Sequence, residues 1–435
     1  MSTVPEAFKG VCSAAVWSFF LAFVLIPTSS VPVRAEEVRI RGDLPPVANG
    51  VLQDQLEGLS TAQARALFEQ IHELLSSRIE SDTSEARALY LGAIQGMLDQ
   101  INSEQLLRTG VLPPPGMLLS VKQAQRIRDA LKGQVTGIGI EFQLQSQHGV
   151  LVVSRVIPGS PAETAGMRAG DHILAIDGQR FTGASLAQVL QLLQGAEGTD
   201  ISFEFARNSP AGPTRYVLEL DRGTFRVESS EAHLERNKVG YLKLHQFHRE
   251  TPVEASERLR ELSKQGARHF VLDLRGCVGG HLEAARALAD LFLSKGTVVA
   301  HVDEPGVGGE DLLATSPPSF EQDIVILIDR WTRGAAELLA ASLQEHNRAF
   351  LIGEPTMGRA RGETLIELGN DLVLRIESVQ LGGPMGASWA DSGVQPDQPI
   401  WISSQGVSPS PRSAGDLQFQ TALHYLAHEL TDKTQ

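Results

Sequence analysis

Two short segments of the chain carry side chains that could support nucleophilic chemistry. Cys277 and His281 lie four residues apart in a glycine-rich stretch, and a thiol beside an imidazole can form a nucleophile–base pair. Thr332 offers a hydroxyl after the apolar run 324–328. A lone cysteine is more often a small buried hydrophobic residue, and a threonine before a helix more often caps that helix, so each residue keeps two interpretations.

The segment 322–363 contains the elements that must position such groups. Its apolar runs and glycines predict a strand, a tight turn, a helix, a second strand and a glycine-rich loop, in that order. The loop runs from Gly353 to Glu363 and contains Arg359. The turn reads Trp331-Thr332-Arg333-Gly334-Ala335-Ala336-Glu337.

These two stretches resemble the core of the C-terminal processing peptidases, also called tail-specific proteases, which are Ser–Lys endopeptidases. In that family the turn reads roughly G-S-A-S-A-S-E and the loop roughly G-E-K-T-F-G-K-G-x-x-Q. The alignment has no gap and places Gly334 on the nucleophilic serine, Arg359 on the lysine base and Glu363 on the glutamine.

The resemblance also implies a set of oxyanion-hole donors. In the family, the glycine backbone after a buried strand helps to form the oxyanion hole, and this position corresponds to Gly279 and Gly280. These glycines can equally serve only the tight packing of a strand against a helix. Ala335, beside the nucleophile position, completes the predicted catalytic set.

The substitutions remove the chemistry that the resemblance implies. Glycine has no side chain with which to attack, and arginine side chains stay protonated and cannot accept the proton. Losing one member of a nucleophile–base unit typically lowers turnover on the order of a million-fold. No lysine occurs between Thr297 and Asp432, so this half of the chain offers no shifted base. We therefore expect peptidase activity at Gly334 and Arg359 to be impaired.

Residues 135–207 resemble a PDZ domain. Glycines at 137 and 139 allow successive backbone N–H groups to converge on a carboxylate, and the strand that follows offers an edge for an added peptide strand. The segment 186–193 predicts a helix along the other wall of the groove. Some of these apolar residues can equally serve only the domain core. The predicted peptide-binding residues are Gly137, Ile138, Gly139, Ile140, Val189, Leu190 and Leu193.

The predicted fold class is multidomain α/β. Its parts are an N-terminal helical segment, a PDZ domain, which is β-sandwich-like with two helices, and a mixed α/β tail-specific-protease core. The predicted boundaries are 1–35 for a signal peptide, 36–133 for the helical region, 134–208 for the PDZ domain, 225–403 for the core, and 404–435 for a linker and C-terminal helix.

The N-terminus predicts export to the periplasm or another extracytoplasmic compartment. Lys9, an apolar run and the small-x-Ala site ending at Ala35 are typical of a signal peptide, while an uncleaved membrane anchor is the alternative. A net charge of −14 argues against nucleic acid and anionic lipid as partners. No metal-ligand cluster or nucleotide loop is evident, and the resemblance implies no cofactor.

Two functions from different classes follow. The first is a pseudoprotease or scaffold that binds protein or peptide C-termini, alone or with an active protease relative. The alternative is a working serine-type endopeptidase that uses Thr332, or Cys277 with a histidine, in place of the missing groups.

Overall fold

The computed structural model describes residues 59–79, 83–109, 116–145, 149–181, 184–209, 212–235, 237–304, 306–401 and 411–428. These residues fall into two compact units, which divide between Gly116 and Met117. The predicted signal peptide, 1–35, and much of the predicted linker lie outside the described residues. None of the helices within the described ranges combines the length and hydrophobicity that a membrane crossing needs.

The first unit contains two helices, Thr61–Ser76 (α1) and Ser84–Thr109 (α2). Helix α1 begins with a capping box, in which the Ser60 hydroxyl accepts the Gln63 N–H and the Gln63 side-chain oxygen accepts the Ser60 N–H. These helices agree with the predicted N-terminal helical segment.

The predicted helical region is too long at its C-terminal end. Gly116–Ser120 forms a strand (β1), which pairs with the strand Leu372–Gly382 (β18), and the helix Val121–Ala130 (α3) follows it. Residues 117–133 therefore belong with the second unit, because the hydrogen bonds of β1 are made to a strand far along the chain.

The PDZ domain is built on an antiparallel sheet of six strands. They are Ile140–Gln145 (β3), Val150–Val156 (β4), His172–Ile176 (β5), Gln179–Arg180 (β6), Asp200–Ser209 (β7) and Gly212–Asp221 (β8). The order is β3-β4-β5-β7-β8, and β6 pairs with β5. Strand β8 extends the sheet beyond the predicted end at 208, because its whole length pairs with β7. The helices Pro161–Thr164 (α4) and Leu186–Leu193 (α5) complete the domain.

Two further strands join the PDZ domain to the rest of the second unit. Gln134–Gly137 (β2) pairs antiparallel with Gly223–Arg226 (β9). The segments that enter and leave the PDZ domain therefore lie side by side.

The α/β core contains a second six-stranded sheet. Its strands are Ser230–Leu234 (β10), Val239–Leu244 (β11), His269–Asp273 (β12), Ile324–Ile328 (β15), Ala349–Gly353 (β16) and Gln398–Pro399 (β19). The order is β10-β11-β12-β15-β16-β19, in which β10 is antiparallel to β11 and the other pairs are parallel. Parallel strands place their carboxyl ends at one edge, so the turns after β12 and β15 lie together there.

Helices cover both faces of this sheet, and the alternation along β15 shows how. Ile324, Ile326 and Ile328 pack in one cluster with residues of the helices Thr251–Lys264 (α6), Leu282–Ala289 (α7) and Ala335–Glu345 (α8). Val325 and Leu327 face the opposite cluster, which includes residues of the helix Leu417–His428 (α9). A strand buried on both faces explains its continuous apolar run.

A third sheet carries the loop that contains Arg359. Its remaining strands are Val298–Glu304 (β13), Gly308–Leu313 (β14) and Arg361–Gly369 (β17). The order is β1-β18-β13-β14, and β17 pairs with β18 as a long antiparallel hairpin. With this sheet, the PDZ domain and the α/β core, the structure confirms the predicted fold class.

Candidate functional site: a strained elbow at Gly334

The candidate site is centred on the turn between β15 and α8. Asp329 follows the strand, and its carboxylate accepts the N–H groups of Trp331 and Thr332, each at 3.0 Å, and of Gly276 at 2.9 Å. Burial raises the pKa of Asp329, although these N–H donors oppose the shift. One carboxylate thus fixes the turn and joins it to the neighbouring glycine-rich loop.

Gly334 ends the turn in a conformation that few side chains tolerate. Its backbone has φ 60° and ψ −121°, and it is the N-cap residue of α8. A Cβ built on Gly334 would meet only the Cα of Gly279, at 4.0 Å, so the space is open. A sharp, strained turn from strand to helix is the arrangement that presents a nucleophile in many hydrolases. The backbone of that arrangement is present here without the side chain.

Glu337 joins this turn, residues 329–334, which we call the elbow, to the loop that contains Arg359. Its Oε2 accepts the N–H of Gly334 at 2.8 Å and of Arg359 at 3.0 Å. Its Oε1 accepts the N–H of Gly358 at 2.6 Å and the hydroxyl of Thr356 at 2.5 Å. The side chain is fully buried, and this burial raises its pKa against the effect of the four donors.

Glu337 has no role among the sequence-based predictions, although its position carries a signal. A glutamate three residues after an N-cap position typically accepts the N-cap N–H in a capping box. That spacing predicts the bond to Gly334, whereas the contacts with the distant loop follow only from the fold.

Arg359 lies in a cluster of charged groups in place of a lysine base. Its guanidinium donates to Glu363 at 2.7 Å and also to Glu377. Glu363 accepts two further hydrogen bonds from Arg375, at 2.6 and 2.7 Å. Burial alone would raise the pKa of Glu363, but Arg375 and Arg359 hold it below its usual value.

Arg333, the residue before Gly334, is placed differently from Arg359. It is half-buried, and its Nε donates to the Val278 carbonyl at 3.4 Å. The described residues supply no carboxylate within ion-pair distance of this guanidinium. Burial, followed by the positive charge of Arg359, lowers the pKa of Arg333. The elbow therefore carries an incompletely neutralised cation.

Gly279 and Gly280, the predicted oxyanion-hole residues, lie close to the elbow, and their backbones leave no room for side chains. Gly279 has φ 79°, and a Cβ there would lie 2.7 Å from the Arg333 carbonyl oxygen. Gly280 has φ 137°, and its Cβ would lie 2.2 Å from the Phe247 carbonyl oxygen. The Gly279 N–H also faces the Cys277 thiol closely enough to oppose the rise in the pKa of that thiol.

The Ala335 N–H is a second backbone donor at this place. Ala335 begins α8, and no acceptor for its N–H lies among the described residues. Its nitrogen is 3.2 Å from the position that a Cβ on Gly279 would take, so the two predicted residues are adjacent.

The thiol that could act as an alternative nucleophile is enclosed in the core. Cys277 is fully buried, and burial raises its pKa to about 12. His281, at the start of α7, makes no hydrogen bond to Cys277 in the described structure, and burial lowers the pKa of this histidine. The two residues therefore do not form a nucleophile–base pair in this structure.

The Thr332 hydroxyl likewise makes only structural hydrogen bonds among the described residues. Its hydroxyl is fully buried and lies 2.9 Å from the Leu274 carbonyl oxygen and 3.0 Å from Asp329 Oδ1. The predicted N-cap role of Thr332 is wrong, because the cap is Gly334 and its N–H is bound by Glu337. Thr332 instead connects the elbow turn to the end of β12.

The PDZ domain presents a free strand edge beside two free backbone donors. Strand β3 pairs only with β4, so its other edge is open among the described residues. No acceptor for the N–H groups of Ile138 and Gly139 lies within the described ranges. Gly139 has φ 81°, and a Cβ there would lie 2.1 Å from the Ser160 Cβ, so only glycine fits.

The predicted apolar wall of the PDZ groove is divided between core and surface. Val189 is fully buried and Leu190 is 8% exposed, so both side chains act mainly as core residues. Ile140 and Leu193 are half-buried and pack against the edge of the domain core. A Cβ added at Gly137 would have no atom within 4 Å, so this glycine borders open space.

No group of three or more histidine, cysteine or carboxylate side chains within the described ranges is placed to hold a metal ion. The carboxylates described at the elbow instead bind arginines or the backbone. The described site can bind a ligand through backbone and guanidinium donors, and it does not pair a nucleophile with a neutral base.

Comparisons with known proteins identify both modules. The family model of peptidase family S41 matches residues 238–400, and a PDZ domain model matches residues 152–207. The chain is 32% identical over 324 residues to the carboxyl-terminal-processing protease of Picosynechococcus sp., and the match covers 73% of this chain and 76% of that protein.

Other relatives extend the same similarity. The chain is 27% identical over 343 residues to the carboxy-terminal processing protease CtpA of Bacillus subtilis, covering 79% of this chain and 67% of that protein. A crystal structure of a protein from Bacteroides fragilis assigned to the S41 proteases superposes with a TM-score of 0.51 at 18% identity, covering 72% of this chain and 86% of that one. This likeness shows a shared fold.

Proposed function

The chain belongs to the carboxyl-terminal-processing proteases of peptidase family S41, and we propose that it binds the C-termini of proteins without cleaving them. The observation that carries this proposal is the elbow at Gly334, which has a positive-φ backbone and room for a Cβ at the position aligned with the nucleophile but has no side chain there. Without an attacking atom, an acyl-enzyme intermediate cannot form at this position.

The position of the base supports the same conclusion. Arg359 is bound by the carboxylates of Glu363 and Glu377, so its guanidinium is engaged in ion pairs. A guanidinium held in this way can donate hydrogen bonds but cannot remove a proton from a nucleophile. Both halves of the Ser–Lys pair are therefore replaced by groups without the required chemistry.

Binding of C-termini is supported by the PDZ domain. A terminal carboxylate needs converging N–H donors, and a tail needs a free strand edge to extend. The free N–H groups of Ile138 and Gly139 and the open edge of β3, within the described ranges, meet these two needs. The half-buried side chains of Ile140 and Leu193 are available for an apolar terminal residue.

The alternative function, cleavage by non-standard groups, has less support. The Cys277 thiol is fully buried with its pKa raised to about 12, and the Thr332 hydroxyl is buried between two oxygen atoms.

We place the protein outside the cytoplasm, in the periplasm or an equivalent compartment, from the signal-peptide pattern of residues 1–35. The proposal also allows an active protease relative as a partner.

The test combines cleavage and binding on the same preparation. Purified chain is incubated with an unstructured protein carrying an apolar C-terminal tail, and mass spectrometry follows the products. Calorimetric titration then compares a tail peptide that has a free carboxylate with its C-terminal amide. We expect no cleavage above a no-protein blank, and binding of the free acid only. Turnover that occurs in the intact fold but disappears in Cys277→Ala or Thr332→Val would overturn the proposal.

A further inference from the structure

The guanidinium of Arg333 is the cation at the elbow for which the described residues supply no carboxylate. By contrast, Arg330, three residues earlier, is paired with Glu354 at 2.8 Å, and Arg359 is paired with two acids. Half-buried arginines are usually paired, because a desolvated charge without a partner is unfavourable. This exception lies directly beside the empty nucleophile position.

The acidic groups of the elbow and the following loop bind donors other than Arg333. Glu337 accepts four hydrogen bonds from other donors, and Glu363 accepts from two other arginines. Glu377 is paired with Arg359 through Oε1, and its buried Oε2 makes no hydrogen bond to Arg333 or to any other group among the described residues. None of these carboxylates pairs with Arg333, so an added anion would complete its charge balance.

We propose that the space beside Gly334 is a second carboxylate-binding site, in which Arg333 receives the carboxylate of a peptide. This inference rests on the proposed function, because a site that held a nucleophile would be used for cleavage. Arginine binds carboxylates through two parallel N–H···O bonds, a geometry that also fixes the orientation of the ligand.

Two features give such a ligand room and a further donor. Apart from the adjoining residues Arg333 and Ala335 and the backbone of α8, a Cβ on Gly334 would meet no atom closer than 4.0 Å, so the rest of the structure leaves room at this position. The Ala335 N–H, on the next residue of the chain, has no acceptor among the described residues. The N-terminus of α8 is not the basis of the site, since Glu337 already caps it at Gly334.

The effect of a neighbouring charge on Arg333 agrees with this assignment. After burial, the charge of Arg359 lowers the pKa of Arg333, so the two guanidinium groups are close enough to repel each other. An anion bound at Arg333 would offset this repulsion and regain part of the free energy that burial costs.

The test separates this site from the PDZ groove by disabling the groove. In full-length Gly139→Val, calorimetry with an N-acetylated ten-residue peptide bearing a free C-terminus should detect one remaining site. Adding Arg333→Gln should lower that affinity about tenfold or more, as expected for a lost charged hydrogen-bond partner. Arg333→Lys should retain part of the affinity, because the charge stays and the two-bond geometry is lost. Arg361→Gln, which removes an exposed arginine at the start of β17, is the control for a change of charge and should bind normally.

Two amidated peptides show whether the site binds the terminal carboxylate or a side-chain carboxylate. A C-terminal amide without acidic residues should not bind, and the same amide with one internal glutamate binds only if the site accepts a side-chain carboxylate. If Gly139→Val does not fold, titration of the native chain should give two sites, which Arg333→Gln reduces to one. An affinity that Arg333→Gln leaves unchanged, or full binding of the glutamate-free amide, would overturn the inference. Cleavage of the peptide would instead overturn the proposed function, so the two failures are distinguishable.

Discussion

The elbow and the PDZ groove show how differently two sites in one chain depend on side chains. At the elbow the reactive atoms of a peptidase must be side-chain atoms, and Gly334 and Arg359 offer neither a nucleophile nor a proton acceptor, while Glu337 holds the backbone in place. In the groove the donors are backbone N–H groups of Ile138 and Gly139, which substitution does not remove unless it changes the backbone. The proposed function, binding without cleavage, therefore needs very few changes in sequence.

The same contrast explains why the elbow stays well built. Asp329 and Glu337 hold the turn and the following loop through hydrogen bonds to backbone N–H groups. These bonds stabilise the fold regardless of catalysis, because unsatisfied buried donors are costly. The geometry of the elbow can thus persist for structural reasons, whether or not it supports a reaction.

The largest expected effect comes from breaking the elbow at Glu337. Glu337→Ala leaves four donors without their acceptor, and we expect the free energy of unfolding to fall by about 3 kcal/mol or more. Chemical denaturation measures this change. Glu283→Ala is the matched control, because Glu283 lies in the first turn of α7 with an exposed side chain and should cost less than about 1 kcal/mol. Equal effects of the two variants would contradict the structural role given to Glu337.

The next effect is on the groove. Gly139→Val forces a side chain into a φ of 81° and to within 2.1 Å of Ser160, so we expect tail affinity to fall about a hundredfold. Fluorescence anisotropy with a labelled tail peptide provides the measurement. Gly198→Val shares the positive φ, at 74°, but has no atom within 4 Å of its Cβ, and it should bind nearly normally. If both variants lose binding equally, backbone strain rather than the groove explains the loss.

Introducing a serine at Gly334 and a lysine at Arg359 tests whether these two side chains are all that the elbow lacks for cleavage. Gly334→Ser with Arg359→Lys fits the open space, but Glu363 and Glu377 would hold the new lysine in its charged form. We expect cleavage at least about a thousandfold below that of an active relative, since one member of the pair stays ineffective. Adding Glu363→Gln should raise the rate of peptide cleavage, because it removes one of the two acids. No change on adding it would show that the acids do not limit the base.

Much of the fold was predictable because strong local patterns determine it. The apolar run 324–328 and the glycines around Gly279 predicted a buried strand and a tight loop, and the structure contains both. The β1 strand was not predictable from its own residues, since Gly116–Ser120 is a strand only through pairing with β18, far along the chain.

The site was predictable in its positions but not in its contacts. Alignment of the turn and loop placed Gly334, Arg359 and Glu363 near one another, and the structure links them through Glu337 and the Arg359 ion pairs. No sequence pattern indicated that Glu377 would join them, because its contact depends on the register of the β17–β18 hairpin. Charges brought together by tertiary pairing leave no local periodicity.

The smallest effect concerns the thiol beside the elbow. Burial raises the pKa of Cys277 to about 12 in the folded chain, against about 8.5 for an ordinary thiol. Above about pH 8.5 the unfolded chain loses the proton of the Cys277 thiol, while the folded chain keeps it. The free energy of unfolding therefore declines as pH rises above about 8.5. Cys277→Ala should remove that decline, at about 1.4 kcal/mol per pH unit at most. Denaturation curves at pH 8, 9 and 10 measure the difference between the two proteins, and parallel curves would show that the thiol does not contribute.

Alkylation of the same thiol distinguishes a buried structural residue from a nucleophile. At pH 8 the thiolate fraction should be about a thousandfold below that of a free cysteine, so iodoacetamide should label Cys277 only in denaturant. A Cys12→Ser background leaves Cys277 as the one thiol in the chain. Rapid labelling of the folded protein would mean that the elbow holds a reactive group after all, and the contrast between a side-chain-free elbow and a working groove would fail.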